Sequence, residues 1–380
     1  MENTTMSERI PAELFPPGEF IEEELEARGW SKGDLADVMG RPAQLVSTII
    51  SGKRSITLET AEDLAAAFGT SAELWINLDT SYRLWKSRAD NPADSRIDVR
   101  LKAELYEYAP VNEVIRRKWV PDSKHDIARL KHDICGHLRV SEIGDIPNVD
   151  LVARKSADET LISHFAWYYR ACDIAKSVST ERYTATRLRK AIEELKSLAK
   201  NAEDVRHVPE VLARGGVRLV VVEHLQKTKI DGAAFWLDKK SPVVAMSMRH
   251  GRIDYFWHTL GHELGHVVAN DGNAIDNELV SGDRESIDSE REEKADAFAS
   301  EMLISHDRLG RFIARKGKYF SKKSIVGFAD DVGVHPGIVV GQLQHRRAIS
   351  WTHSRKMLVS VRDEITESAL TDGWGHCPAI

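Results

Sequence analysis

Residues 262–266 read His-Glu-Leu-Gly-His, and no other feature narrows the fold of this 380-residue chain so far. Two histidines four positions apart face the same way only on a helix. The flanking apolar residues Phe256, Leu260, Leu264 and Val267 recur at helical spacing, which predicts a helix over 255–269. Imidazoles one turn apart can share a single tetrahedral ion, and H-E-x-x-H is a zinc pattern of peptide hydrolysis. Glu263 sits one position round the helix, where it can reach a water beside the ion without being a ligand.

His258 extends the series to i, i+4, i+8, but eight residues of helix rise about 12 Å, too far for three nitrogens on one ion. A histidine six residues past His266 is also absent, since Gly272 stands there. The third ligand is therefore expected to be a downstream carboxylate, and the acidic run 289–296 offers several. Ala295, Phe298, Ala299, Met302 and Leu303 define an apolar helix face. At 100° per residue Glu292 lies near that face and Glu293 opposite it. Asp296, one turn after Glu292, is placed to accept a hydrogen bond from the outer nitrogen of a zinc histidine.

Together, Gly232-Ala233-Ala234-Phe235-Trp236, Phe256 to His266 and Glu292 to Ala299 closely resemble ImmA/IrrE family metallopeptidases. Val334 to His345 matches the same family's C-terminal pattern. The resemblance covers about residues 205–358. It implies a zincin-like α+β domain with a small sheet and zinc held by His262, His266 and Glu292. It also implies Glu263 as general base, and cleavage of DNA-bound regulators in stress or mobile-element control. His335, His345 and Arg346 are candidates for an oxyanion-stabilising role by family position alone.

The first 85 residues read differently. Five short amphipathic helices, at 20–28, 32–39, 43–50, 58–68 and 72–85, are punctuated by Gly29, Gly40, Gly52 and Gly69. Lys32 to Ile50 has a helix-turn-helix layout, with Gln44, Ser47 and Thr48 on the outer face of its second helix and Lys53 and Arg54 just beyond. Glutamine can pair with adenine and the cations can hold phosphates. With Phe15-Pro16-Pro17-Gly18 before it and Glu73 to Leu78 after it, residues 10–86 resemble the Xre-type domain of HigA-like antitoxins. Pro42 and Thr48 depart from that pattern, and residues 1–90 carry 16 acidic against 9 basic residues, net −7. Low non-specific phosphate affinity is expected.

The expected architecture is multidomain and mainly α with a small β-sheet: a helix-turn-helix bundle at 10–90, a helical middle segment at 91–204, the zinc domain at 205–358 and a tail at 359–380. Strands are expected at 217–223, 233–237 and 243–248, and Asn91 to Ser95 as a hinge. Three scattered cysteines form no pair that would make a disulfide framework or a thiolate zinc knuckle. No apolar run reaches membrane-span length, and Met1 to Arg9 lacks the apolar core of a secretory signal, so a cytoplasmic setting is expected. Double-stranded DNA, a protein substrate and a second copy of the chain are the expected partners. Residues 306–362 hold 12 basic against 3 acidic residues. The cations Arg308, Arg311, Arg315, Lys316, Lys318, Lys322 and Lys323 surround Tyr319 and Phe320, which adds single-stranded nucleic acid as a candidate. The rival to an enzyme is a non-enzymatic antitoxin or repressor whose metal domain is a sensor or scaffold.

Overall fold

The four glycines end helices as their spacing predicts. Helix α1 (Pro17–Arg28) stops at Gly29, whose φ of 67° is left-handed and whose N–H closes the last turn. α2 (Lys32–Val38) begins at a capping box in which Ser31 accepts from the Asp34 amide while Asp34 accepts from the Ser31 amide. α3 (Ala43–Ile50), α4 (Leu58–Phe68) and α5 (Ala72–Asp90) follow. Ile21, Leu35, Val46, Leu64, Phe68 and Trp75 form their shared core. The computed structural model describes residues 15–90, 94–145, 159–269, 274–275 and 285–378; residues 91–93 of the expected hinge lie outside this set. Residues 1–100 and 101–380 are two compact units.

After α6 (Asp94–Tyr108), which begins in the first unit and ends in the second, α7 (Val111–Arg116), α8 (Ile127–Leu138) and α9 (Glu159–Ala175) precede α10 (Ala185–Leu198) and α11 (Val208–Gly215). Then come β1 (Arg218–Val222), β2 (Gly232–Trp236), β3 (Pro242–Met246), α12 (Ile253–Ala269), β4 (Ala274–Ile275) and α13 (Glu285–Leu303). The chain ends through α14 (His306–Lys316), α15 (Lys322–Val332), α16 (Pro336–His345), α17 (Arg362–Ser368) and β5 (Leu370–Asp372). The sheet order is β4-β2-β3-β1-β5; β1 runs parallel to β3 and β5, and β2 antiparallel to β3 and β4. Val220 stands opposite both Ala245 and Leu370.

Both faces of this sheet are buried, which is why β1 reads Leu-Val-Val-Val without a polar alternate. Leu219, Val221, Val244 and Met246 face α12 and the later helices. Val220, Phe235, Val243 and Ala245 face the middle helices, where Tyr168 meets Phe235 edge-on at 4.9 Å. The sequence had set 91–204, 205–358 and 359–380 apart; in the structure the middle helices share a core with the sheet and the tail supplies its fifth strand. Asp372 of β5, fully buried, accepts from Trp119 Nε1 at 2.9 Å and pairs with Arg170. No helix among the described residues is long and apolar enough to cross a membrane.

Candidate metal centre and nucleic-acid interface

Helix α12 lies across the sheet with Phe256, Trp257, Leu260 and Leu264 in the core, and this fixes the direction in which its polar residues point. Gly261 and Gly265, four apart, meet Ala295 and Ala299 of α13. An added Cβ at either glycine would stand 3.0 Å from the Cα of the opposing alanine, so only this small-residue seam permits the observed approach. The close approach lets a carboxylate as short as Glu292 reach both histidines.

His262 Nε2 is 3.1 Å from Glu292 Oε2 and 3.1 Å from His266 Nε2, and His266 Nε2 is 3.5 Å from Glu292 Oε1. Donors about 2.0–2.1 Å from a tetrahedral zinc are about 3.4 Å from one another, so the three atoms have the spacing of one face of such a site. Among the described residues these three are the group of histidine, cysteine and carboxylate side chains close enough to hold one ion. Among the described residues Glu292 Oε1 is buried without a hydrogen-bond partner, as an atom kept for a metal would be. Burial alone would raise the Glu292 carboxyl, but the two facing imidazoles outweigh it and hold its pKa down at about 2.

His262 Nδ1 and Asp296 Oδ1 are 2.9 Å apart, which turns Nε2 toward Glu292 and lowers the Asp296 pKa through that hydrogen bond. Glu293 is exposed on the opposite side of α13. Glu263 is buried, and β2 begins against it at Gly232, where an added Cβ would stand 2.7 Å from Glu263 Oε1. His258 is half-buried beside the exposed His345, ring centres 6.0 Å apart, and burial depresses its pKa. His335 is placed elsewhere: it caps α16 by accepting the Gly337 amide on Nδ1, and burial lowers its pKa.

His258, His262, Glu263, Glu292, Asp296 and His345 open on a cavity of about 500 Å³, within the range of small-ligand pockets. Lys229, Asp231, Asp254, Tyr255, Gln342, Arg346 and Trp351 line it as well. Of these, sequence reasoning had named Arg346 alone. The rest come from the segment before β2, the first turn of α12, α16 and the segment after it, and no local pattern marks them.

In the first unit, Gln44 and Ser47 are exposed on α3, with exposed Lys53 and Arg54 in the turn that follows. Thr48 is half-buried and donates its hydroxyl to the Leu45 carbonyl at 2.9 Å, so it is the least available of the five. Pro42 leaves the α3 N-terminus without a side-chain cap. In the basic stretch Arg308 pairs with Asp331, Phe320 is buried, and Tyr319 is 88 % exposed.

Two family matches cover separate parts of the chain: helix-turn-helix over residues 21–75 and IrrE N-terminal-like domain over residues 218–340. An uncharacterized HTH-type transcriptional regulator of Haemophilus influenzae is 39 % identical over 69 residues, 18 % of this chain and 64 % of its own length. This chain thus spans just under two thirds of that relative. Antitoxin HigA-1 of Vibrio cholerae is 38 % identical over 72 residues, 19 % of this chain and 68 % of its own. The solved structure of a HigA-family addiction module antidote protein from Coxiella burnetii is 36 % identical, covers 22 % of this chain and 89 % of its own, and has a TM-score of 0.20. By these matches the chain belongs to the helix-turn-helix regulators through its first unit, and residues 218–340 of the second are similar to the IrrE N-terminal-like domain.

Proposed function

We propose that this protein is a DNA-binding regulator whose second unit is a zinc-dependent endopeptidase acting on a protein substrate of the repressor or antitoxin type. One observation carries the reading: of three donors spaced for a single zinc, His262 and Glu292 line the same open cavity as Glu263, and the third, His266, is buried 3.1 Å from His262. A purely structural site would be closed by four protein ligands, whereas this one leaves a position facing the cavity. Zinc held by His262, His266 and Glu292 would supply Lewis-acid polarisation of a peptide carbonyl and a lowered water pKa. Asp296 keeps the His262 ring oriented. Glu263 takes the proton of the attacking water and returns it to the leaving amine.

The test is digestion of a mixed peptide library and of co-expressed neighbouring proteins by the zinc-loaded full chain, with products read by mass. Glu263→Gln should retain zinc and lose cleavage by a factor of about 10² to 10⁴. Zinc retention with no cleavage by the wild type would favour the sensor or scaffold role instead. For DNA, the exposure of Gln44, Ser47, Lys53 and Arg54 on one helix and its following turn supports major-groove binding, by a pair of chains on paired half-sites. Gln44→Ala should relax sequence preference. Lys53→Ala and Arg54→Ala should weaken binding to all sequences and each reduce the salt slope by about 1, measured by titration at several salt concentrations. Tyr319, exposed between Lys318 and Lys322, is a further candidate contact for single-stranded nucleic acid.

A further inference from the structure

The charges around the cavity are unevenly satisfied. Asp231 is held by a two-pronged contact from Arg249, with both distances 2.9 Å, and Asp254 in the same way by Arg252 at 3.0 and 2.6 Å. These two carboxylates are thus neutralised by guanidinium groups fixed in place. Glu292 and Asp296 are turned to the histidines, and zinc would offset their charge. Two cations on the cavity wall have no such partner. Lys229, in the segment before β2, and Arg346, just after α16, are both exposed and make no side-chain ion pair among the described residues. Beside them stand Trp351, 57 % exposed, and Tyr255, whose ring is fixed by His250 at 4.4 Å and by the Arg252 guanidinium at 4.9 Å.

A wall with its acids already paired and its cations free is complementary to negative charge. Resting on the peptidase reading above, we infer that Lys229 and Arg346 select protein substrates carrying an acidic side chain close to the scissile bond. The neighbouring Tyr255 and Trp351 rings take an apolar residue of the same segment. An acidic peptide is favoured over a nucleic acid strand because, among the described residues, only two cations without an ion pair stand on this wall, enough for one or two carboxylates but not for a continuous run of phosphates.

The test uses the full chain carrying Glu263→Gln and loaded with zinc, so that peptides bind without being cut. Fluorescently labelled peptide pairs identical but for one Asp or Asn, and one Glu or Gln, are titrated by anisotropy. The acidic member of each pair should bind more tightly, by about five-fold per engaged cation, with the preference shrinking as salt rises. Lys229→Glu with Arg346→Glu should reverse the order and favour lysine-containing peptides, at unchanged zinc content and circular dichroism. Equal affinity within the pairs, an unaltered order in the double variant, or tighter binding of an oligonucleotide than of any acidic peptide would overturn the inference. Cleavage by the wild type is scored separately on the same peptides. Cutting without charge preference sinks the selectivity alone, while charge-selective binding without cutting sinks the peptidase reading.

Discussion

The decisive distances at residue scale are those among His262, His266 and Glu292, which run from 3.1 to 3.5 Å. Zinc content measured on purified variants should fall for His262→Ala, His266→Ala and Glu292→Ala and stay full for Glu293→Ala, whose side chain is exposed. Asp296→Asn should weaken zinc affinity by about 10- to 100-fold without emptying the site, since it acts through the orientation of His262. His137 makes a second prediction, outside the cavity. Burial pushes its pKa down from 6.5 to about 4 against the pull of the Ala166 carbonyl, 3.1 Å from Nε2, and its ring lies 5.6 Å from that of Trp119. The folded state therefore binds fewer protons than the unfolded chain between about pH 4 and 6.5. Stability present above pH 6.5 is lost as pH falls through that window, by up to roughly 3 kcal/mol. Urea midpoints at pH 7 and pH 4.5 should differ less in His137→Gln than in the wild type.

Helix pairing sets the candidate metal centre at element scale. The Gly261 and Gly265 seam against Ala295 and Ala299 has no slack, so Gly265→Ala should force α12 and α13 apart, cost about 1–3 kcal/mol and lower zinc affinity with every donor intact. Gly327→Ala in α15, where an added Cβ meets nothing within 4 Å, should instead raise stability by up to about 1 kcal/mol. Thermal midpoints and zinc titrations of the two variants make the comparison. The H-E-L-G-H motif contains one of the two glycines. Their joint role follows from the four-residue spacing once the facing alanines are known, and single-helix periodicity does not reveal it.

For the whole molecule, the sheet ties together segments that the sequence presents as separate. A fragment of residues 205–380 would expose Val220, Phe235, Val243 and Ala245, the face that the middle helices cover. It should be insoluble or bind an apolar dye, whereas residues 101–380 should fold and hold zinc. Removing residues 369–380 from the full chain should also destabilise it, because it strips β5 and leaves Arg170 buried without Asp372. Thermal unfolding of the three chains checks both outcomes.

What the sequence determined by itself was everything local or periodic. The five helices of the first unit and their glycine ends, the helix bearing His262 and His266, and the inward phase of Glu292 against Glu293 all follow from spacings within one element, where 3.6-residue geometry leaves one answer. The three strands from 218 to 246 were legible from β-branched runs between turns. The tertiary structure alone decided which segments cover the second face of the sheet, that residues 370–372 join it, and which segments bring Lys229, Arg346 and Trp351 to the cavity beside Tyr255 of α12. The reason is physical: strands buried on both sides carry no polar stripe to mark their neighbours. Cavity walls are assembled from residues whose sequence separation exceeds any helical or strand period.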